Sequence, residues 1–237
     1  MAGLGTLINV ACIIAGGLAG MLCGKLINEK MQETMVKAAG LASMFIGISG
    51  TLAEMLVLEN GGLSVQKAMM ATVTLALGAF IGELLNIEKG FEDFGEWLKI
   101  KSGNASDHSF VNAFLTASLT VSIGAMAIVG SIQDGILGDY STLATKGILD
   151  FVIVMIMTSS LGKGSIFSAI PVAVFQGTMT LAARLLKVIM NAAAIANVSL
   201  VGSILIFGVG VNLVFGKTIR IANLLPAVVL AIAAAYL

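Results

Sequence analysis

The segment that decides the class of this protein is Thr142-Leu-Ala-Thr-Lys146-Gly-Ile-Leu-Asp150-Phe-Val-Ile-Val-Met-Ile-Met-Thr-Ser-Ser-Leu-Gly162. It is long and apolar enough for one helical crossing of a bilayer, which takes about 20 residues. Asp150 lies in its middle, and insertion scales put the cost of a carboxylate at that depth at about 2.5–3.5 kcal/mol. Such a residue usually faces other helices or a hydrated cavity. The segment therefore predicts a membrane helix with a transport-like interior.

The composition extends that interpretation to nearly the whole chain. Apolar residues make up 58% of the 237 residues and charged residues 11%, and the mean hydropathy is +1.03. A soluble domain carries about 25% charged residues, so this chain cannot cover a soluble surface. At about 20 residues per span there is room for roughly seven or eight helices and for no separate soluble domain. We predict an all-α, polytopic transmembrane helix bundle that forms a single membrane domain over residues 1–237 and has the lipid bilayer as a partner.

The composition also excludes several classes of function. The formal net charge is zero, so no basic face predicts binding to nucleic acid. Cys12 and Cys23 both lie in the first predicted span and form no disulfide framework. The only histidine, His108, lies in a polar loop, and no metalloprotease, esterase or phosphate-loop motif occurs. We expect a protein that is not an enzyme and that needs no cofactor and no metal.

Apolar runs between polar breaks give eight candidate spans, over residues 4–27, 38–58, 68–87, 110–130, 142–161, 165–183, 198–215 and 221–237. Two connections are predicted to be interfacial helices. Over residues 87–101 the apolar residues Ile87, Phe91, Phe94 and Leu98 fall on one helix face, and the segment contains the only tryptophan, Trp97, as expected of a helix in the headgroup region. Residues 184–197 are predicted either to lie in the same way or to extend the sixth helix.

The basic residues predict the orientation. Sorted by alternating loops, nine fall on one side: Lys25, Lys30, Lys37, Lys89, Lys99, Lys101, Lys163, Lys217 and Arg220. Four fall on the other: Lys67, Lys146, Arg184 and Lys187. This excess places the first group in the cytoplasm and, with eight spans, both termini outside, although a re-entrant sixth helix would change that parity. Residues 1–6 carry no basic residue, so we expect the first helix to stay as an anchor.

A short pattern recurs along the chain. Gly20-Met-Leu-Cys-Gly24-Lys-Leu-Ile-Asn28 is followed by Gly78-Ala-Phe-Ile-Gly82-Glu-Leu-Leu-Asn86, and a weaker copy begins at Gly208. The pattern predicts a helical hairpin used three times, with flanking first and last helices. Repeats of this kind often place a transporter's binding site near the middle of the membrane. The alternative is that glycine-rich apolar helices match one another by composition alone.

The chain as a whole resembles a family of uncharacterised bacterial inner-membrane proteins, the YqgA/YdfK type. The resemblance rests on the opening Gly3-Leu-Gly-Thr-Leu-Ile-Asn9, on the Gly-Gly-Leu-Ala-Gly segment that ends in Gly24-Lys25, and on Gly82-Glu83. It spans essentially all 237 residues. It implies a location in the bacterial inner membrane and implies no activity.

Glycines at helical spacing predict helix-packing faces. The candidates are Gly16, Gly20, Gly24, Gly78, Gly82 and Gly208. Lipid provides no hydrophobic drive between helices, so close backbone approach through small residues holds them together. The sequence leaves open whether these faces pack within one chain or between the chains of a homo-oligomer.

Polar side chains inside the predicted spans form the candidate binding residues. Besides Asp150 they are Thr51 and Glu54 in the second span, Asn112, Thr116 and Thr120 in the fourth, and Gln176 in the sixth. The three in the fourth span recur every four residues, share one helix face and lead to Gly124. A single hydroxyl in a membrane helix most often bonds the carbonyl one turn earlier, which is the alternative to a hydrated or ion-binding interior.

Asp150 has a structural alternative too. Lys146 lies one turn earlier and is placed to pair with it, although a buried ion pair seldom serves stability alone. Glu54 lies near a helix end, where a carboxylate can reach water or stay protonated. Our first hypothesis is a permease for an ion or small solute, with a polar pathway between the second, fourth, fifth and sixth spans. The alternatives are a non-transporting scaffold or accessory subunit, and an ion channel.

Overall fold

The fold is taken from a computed structural model, which describes residues 3–24, 29–59, 61–122, 125–183 and 191–236. The described α-helices are α1 (Leu4–Gly24), α2 (Glu29–Met55), α3 (Ala68–Leu85), α4 (Ile87–Lys101), α5 (Phe110–Ser122), α6 (Ala125–Leu137), α7 (Ser141–Leu161), α8 (Ala169–Leu181), α9 (Ala192–Phe215) and α10 (Pro226–Ala233). Short 3-10 segments precede α8 (Lys163–Ser168) and α10 (Ile221–Leu224), and a third follows α10 (Ala234–Tyr236). The predicted all-α class is confirmed, with one small β-hairpin added.

Six of the described helical segments are long and apolar enough to cross a membrane: Leu4–Leu22, Glu33–Met55, Ala68–Leu85, Ser141–Leu161, Lys163–Leu181 and Ala192–Phe215. The segments Phe110–Ser122 and Ile221–Tyr236 are apolar but shorter. A multi-pass membrane protein is therefore supported, whereas the predicted seven or eight spans are not confirmed. Over the predicted fourth span, residues 110–130, the structure describes α5 up to Ser122 and α6 from Ala125, of 13 residues each, and residues 123 and 124 lie outside the described ranges.

The predicted second span runs three residues too far. The helix α2 ends at Met55, and the chain continues as β1 (Leu56–Glu59), paired antiparallel with β2 (Gly62–Val65). Gly61 at the turn has φ +80°, a conformation that suits glycine. An Asn-Gly pair at residues 60–61 is a hairpin signal, but the apolar residues before it made the run look like more helix.

The two predicted interfacial helices have different outcomes. The stretch 87–101 is a helix, α4, with Leu98 buried against Phe110 and Phe114 and with Trp97 exposed and stacked on Phe94. Its location in the headgroup region stays a prediction. The second predicted interfacial helix, at residues 184–197, is wrong in part. The helix α9 begins at Ala192, so residues 192–197 belong to the same helix as the seventh predicted span. Residues 184–190 lie outside the described ranges.

The chain divides into two compact units. The first contains Met1–Ala39 and Lys89–Lys187, and the second contains Gly40–Glu88 and Val188–Leu237. In the first unit α1 packs along α7: a Cβ at Gly16 would overlap the Phe151 carbonyl, and a Cβ at Gly20 would overlap the Met155 carbonyl. Residue numbers increase together along this contact, so α1 and α7 run parallel.

The second unit is also built on glycine contacts. A Cβ at Gly78 would lie 2.5 Å from the backbone nitrogen of Ala227, and one at Gly82 would overlap the carbonyl of Asn223. These two contacts join α3 to the 3-10 segment and helix at the chain's end. Gly208 faces the flexible end of a side chain, Ile221 Cδ1, at 2.6 Å. The surroundings of Gly24, the last residue of α1, lie outside the description, and the hairpin repeat stays a prediction.

We expect Gly20→Leu to lower the yield of folded, monodisperse protein. The leucine has to separate α1 from α7, because its Cβ meets the backbone of Met155 and lies 2.9 Å from the Cβ of Thr158. Overpacking of this kind costs about 1–3 kcal/mol or more. The matched control is Gly177→Leu in α8, where nothing lies within 4 Å of the new Cβ. Size-exclusion chromatography and thermal unfolding measure the difference, and equal behaviour of the two variants would contradict a packing role for Gly20.

Candidate functional site

A buried ion pair lies in the interior of the first unit. Lys146 and Asp150, one turn apart on α7, are 6% and 4% exposed and form a salt bridge. The Lys146 ammonium also donates a hydrogen bond of 2.7 Å to the carbonyl of Val121. Val121 comes directly before Ser122, the last described residue of α5. Lys146 therefore binds both a carboxylate on its own helix and a backbone carbonyl of α5.

Two buried amides accompany this pair. Asn9 on α1 lies beside the Asp150 carboxylate, but neither of its amide atoms makes a well-formed hydrogen bond. Gln176 on α8 is fully buried, and both of its amide atoms also lack a protein partner. Buried polar groups without a protein partner are rare in native structures, and those that occur usually bind water or a ligand.

A cluster of buried apolar side chains, which we call the apolar layer, serves as the reference that places these polar residues at one level of the unit. Its members are Ile13 of α1, Val121 of α5, Val154 of α7, and Ala169 and Val172 of α8, all buried in one cluster. The helix α8 runs antiparallel to α1. Gly17 of α1 lies against Ile166, just before α8, whereas the hydroxyl of Thr6, near the start of α1, is 3.4 Å from the hydroxyl of Thr180, near the end of α8.

Each polar residue is one helical turn from a member of the apolar layer. Asn9 precedes Ile13 by four residues, Asp150 precedes Val154 by four, and Gln176 follows Val172 by four. Because α1 and α7 are parallel and α8 is antiparallel to them, Asn9, Asp150 and Gln176 all lie on the same side of the apolar layer. We call Asn9, Lys146, Asp150 and Gln176 the polar layer.

A second polar set lies on the other side of the apolar layer. Its members are Ser118, Thr158 and Ser168, each within one turn of the apolar layer, on α5, α7 and the residue before α8. All three are buried, and none of their hydroxyl groups has a hydrogen-bond partner. We call them the opposite polar set. The interior of this unit is therefore polar, then apolar, then polar along the same helices.

Ser122, the last described residue of α5, adds a further buried polar group on the side of the polar layer, because its hydroxyl has no hydrogen-bond partner. Gly124, at the end of the predicted polar stripe, lies outside the described residues.

The predicted site residues separate into three groups. Asp150 and Gln176 belong to the polar layer. In α5, Asn112 is exposed, and the Thr120 hydroxyl donates to the Thr116 carbonyl at 2.8 Å. Within this stripe, Thr120 therefore makes the local hydrogen bond of the alternative interpretation, and a binding role for Asn112 and Thr116 stays a prediction. The residues of the predicted second span belong to the other unit, as the next paragraph describes.

Thr51 and Glu54 have local partners in the second unit. The Thr51 hydroxyl donates to the Gly47 carbonyl at 2.7 Å, one turn earlier. Glu54 forms a half-buried ion pair of 3.4 Å with Lys67, near the β-hairpin. A pathway built on these residues therefore has no direct support from their contacts.

Sequence reasoning missed one buried carboxylate, Asp134 on α6, which is fully buried. The predicted fourth span ended at Gly130, and residues 131–134 were taken as loop. Continuing the helical pattern by one turn through Ser131 and Gln133 would have placed Asp134 in a membrane helix.

The long apolar helices and the buried polar interior define a polytopic helical membrane protein. The chain belongs to the family described as "Protein of unknown function (DUF554)", which it matches over residues 4–236. It is 30% identical over 236 residues to "Uncharacterized protein YqgA" of Escherichia coli (strain K12), a match that covers 96% of this chain and 94% of the relative.

A second relative agrees with the membrane class. The chain is 28% identical over 226 residues to "Uncharacterized membrane protein YdfK" of Bacillus subtilis (strain 168), covering 95% of this chain and 93% of the relative. The predicted resemblance to the YqgA/YdfK type is thus confirmed. No solved structure matches the chain.

Proposed function

We propose that this protein is a permease for an ion or small polar solute, with a pathway that runs through the first unit and crosses the polar layer. The observation that carries the proposal is the apolar layer enclosed by buried polar side chains without partners on both sides. An unsatisfied buried polar group costs about 1–3 kcal/mol, and a purely structural interior gains nothing in return for several of them. A route for a hydrated solute uses these groups.

The chemistry of the polar layer fits a small polar ligand. Lys146 and Asp150 compensate each other's charge, the Asp150 carboxylate keeps further acceptor positions for a solute, and the Asn9 and Gln176 amides add hydrogen-bonding capacity. An amide offers both donors and an acceptor, which suits a polar solute or part of an ion's hydration shell. The apolar layer then acts as the closed constriction, since hydrophobic constrictions exclude water and ions.

The proposal is narrower than the pathway predicted from sequence. It keeps the predicted fourth, fifth and sixth spans, now α5–α6, α7 and α8, and adds α1, while Thr51 and Glu54 have no part in it. We retain the bacterial inner membrane as the location because of the family resemblance, and both termini as extracytoplasmic because of the distribution of basic residues. Lys146 drops out of that distribution, because it is buried within α7 and does not lie in a loop.

A non-transporting scaffold is the second candidate, and one contact favours it. The hydrogen bond from Lys146 to the Val121 carbonyl joins two helices, as a purely structural polar group would. A channel differs from a carrier in its kinetics, because carrier flux saturates with solute and depends on a conformational cycle.

Gln176→Leu is the test that separates transport from scaffolding. The side chain has no partner to lose, so the variant should fold with equal or higher thermal stability. Its flux should fall roughly tenfold, because two hydrogen bonds to the solute at about 0.5–1.5 kcal/mol each are lost. The measurement is uptake into proteoliposomes across a panel of inorganic ions, amino acids and small polar solutes.

The control is Gln66→Leu, the same substitution at an exposed position beside the β-hairpin, where Gln66 bonds Glu59. It should leave flux unchanged. A wild-type protein that moves none of the solutes across the panel, or a Gln176→Leu variant with full flux, would favour the scaffold.

A further inference from the structure

Asp134 is a buried carboxylate that has no basic partner among the described residues. It is fully buried on α6, and its Oδ2 accepts the backbone N–H of Gly5 at 3.0 Å. Its Oδ1 has no hydrogen-bond partner. None of the ion pairs between described residues includes Asp134. The N-terminal dipole of α1 stabilises the negative charge only in part.

Other oxygen atoms converge on the same place from two further helices. Gly135, next to Asp134, packs so closely on α8 that a Cβ there would overlap the Thr180 carbonyl. The Thr180 hydroxyl lies 3.4 Å from the hydroxyl of Thr6, the residue after Gly5. A Cβ at Gly5 would lie 3.1 Å from the Asp134 carboxylate. The Asp134 carboxylate therefore contacts α1 at Gly5, and the hydroxyl groups of Thr6 and Thr180 meet at the next residue of α1, where α8 packs on α6.

This donor set has the chemistry of a hard monovalent cation site. All the donors are oxygen atoms, and the set carries a single negative charge from Asp134. Divalent cations usually bind more carboxylates, and transition metals prefer nitrogen or sulfur ligands. The last turn of α8 adds the negative end of a helix dipole at Thr180, and helix C-terminal ends coordinate sodium in known transporter folds.

We propose that Asp134, Thr6 and Thr180 form a binding site for a sodium-sized monovalent cation. The site requires no transport, so it stands or falls independently of the proposed permease. It also lies one helical turn from the polar layer, because Thr6 precedes Asn9 by three residues and Thr180 follows Gln176 by four. A cation there fixes the relative positions of the three helices that contribute the ligands.

The experiment measures binding of radioactive sodium to the purified full-length protein in detergent, by scintillation proximity, at constant ionic strength maintained with choline chloride. Wild-type protein should bind sodium saturably, and sodium should raise the thermal unfolding temperature along the same curve. Asp134→Asn should weaken sodium binding by about tenfold or more, since a bond from a charged ligand is lost. The asparagine oxygen still accepts the Gly5 N–H, so this variant should fold.

Two further variants and one control complete the test. Thr6→Val and Thr180→Val remove one hydroxyl each, keep the side-chain shape, and should each weaken sodium binding several-fold. The control is Asp139→Asn in the loop before α7, an exposed carboxylate whose pKa is lowered by a hydrogen bond from the Ser141 backbone N–H. It should bind sodium like the wild type.

Three outcomes would overturn the proposal. The first is wild-type protein that shows no saturable sodium binding above choline. The second is Asp134→Asn with wild-type affinity. The third is sodium binding that both threonine variants retain in full, which would place the cation elsewhere.

Discussion

If the protein is the proposed permease, Asp150→Asn should remove transport and also lower stability, and the two losses should separate in a second variant. The carboxylate binds the Lys146 ammonium in the interior of the first unit, where both side chains are almost fully buried. Removing one partner of a buried ion pair costs about 3–5 kcal/mol, because the other charge remains buried and unpaired. The Val121 carbonyl still accepts from Lys146, so we expect the lower end of that range. Thermal unfolding of the purified variant measures it.

The double variant Asp150→Asn with Lys146→Gln removes both charges and should recover most of the stability. Its flux should remain about tenfold to a hundredfold below that of the wild type, because a charged hydrogen bond to the solute is worth about 1.5–3 kcal/mol. The matched control is the half-buried pair of the second unit, Glu54→Gln with Lys67→Gln. It should change stability by less than about 1 kcal/mol and leave flux unchanged.

The double variant also decides the role of Asp150. If the carboxylate serves only to neutralise Lys146, removing both charges restores stability and flux together. Full recovery of flux would therefore assign the pair a structural role and remove Asp150 from the pathway. A stable double variant without flux is the result that a binding role requires.

The sequence predicts some of this interior well. A carboxylate in the middle of an apolar helix, with a lysine one turn earlier, indicates a buried pair whatever the rest of the fold, because the distance is set by the helix itself. Glycines at spacing four indicate close packing for the same reason. Their partners are not predictable, since Gly20 meets α7 whereas Gly78 meets the end of the chain, and both contacts depend on tertiary structure.

What the sequence could not predict has a common physical cause. The face shared by Asn112, Thr116 and Thr120 is a property of one helix, whereas the choice of which face turns inward depends on its neighbours. Asp134 was missed because the predicted fourth span ended at Gly130, although α6 continues to Leu137. Asn9 was visible as an amide in the first span, but its level beside Asp150 follows only from the parallel packing of α1 and α7.

The apolar layer gives the second large expected effect. Val154→Thr together with Val172→Thr should convert the closed constriction into a leak. Valine and threonine have nearly the same shape, so the double variant changes polarity at the layer with little change in packing. Both valines are fully buried and lie one turn from polar groups on either side. Two hydroxyls then offer water and ions a continuous path of hydrogen-bonding groups across the level that valine, isoleucine and alanine now keep dry.

Passive flux of small ions through proteoliposomes should rise on the order of tenfold, since each hydroxyl stabilises a passing solute by about 0.5–1.5 kcal/mol and each 1.4 kcal/mol of barrier is a factor of ten. The control is Val201→Thr, the same substitution at a fully buried valine in the apolar cluster of the second unit, with Ala227 and Ala231. This control variant also buries a hydroxyl, which lowers its stability by a similar amount, about 1–3 kcal/mol, and it should produce no leak. A folded double variant that stays as tight as the wild type would mean that the apolar layer is ordinary core. An equal leak from Val201→Thr would mean that loss of stability, rather than hydration of the constriction, makes the membrane permeable.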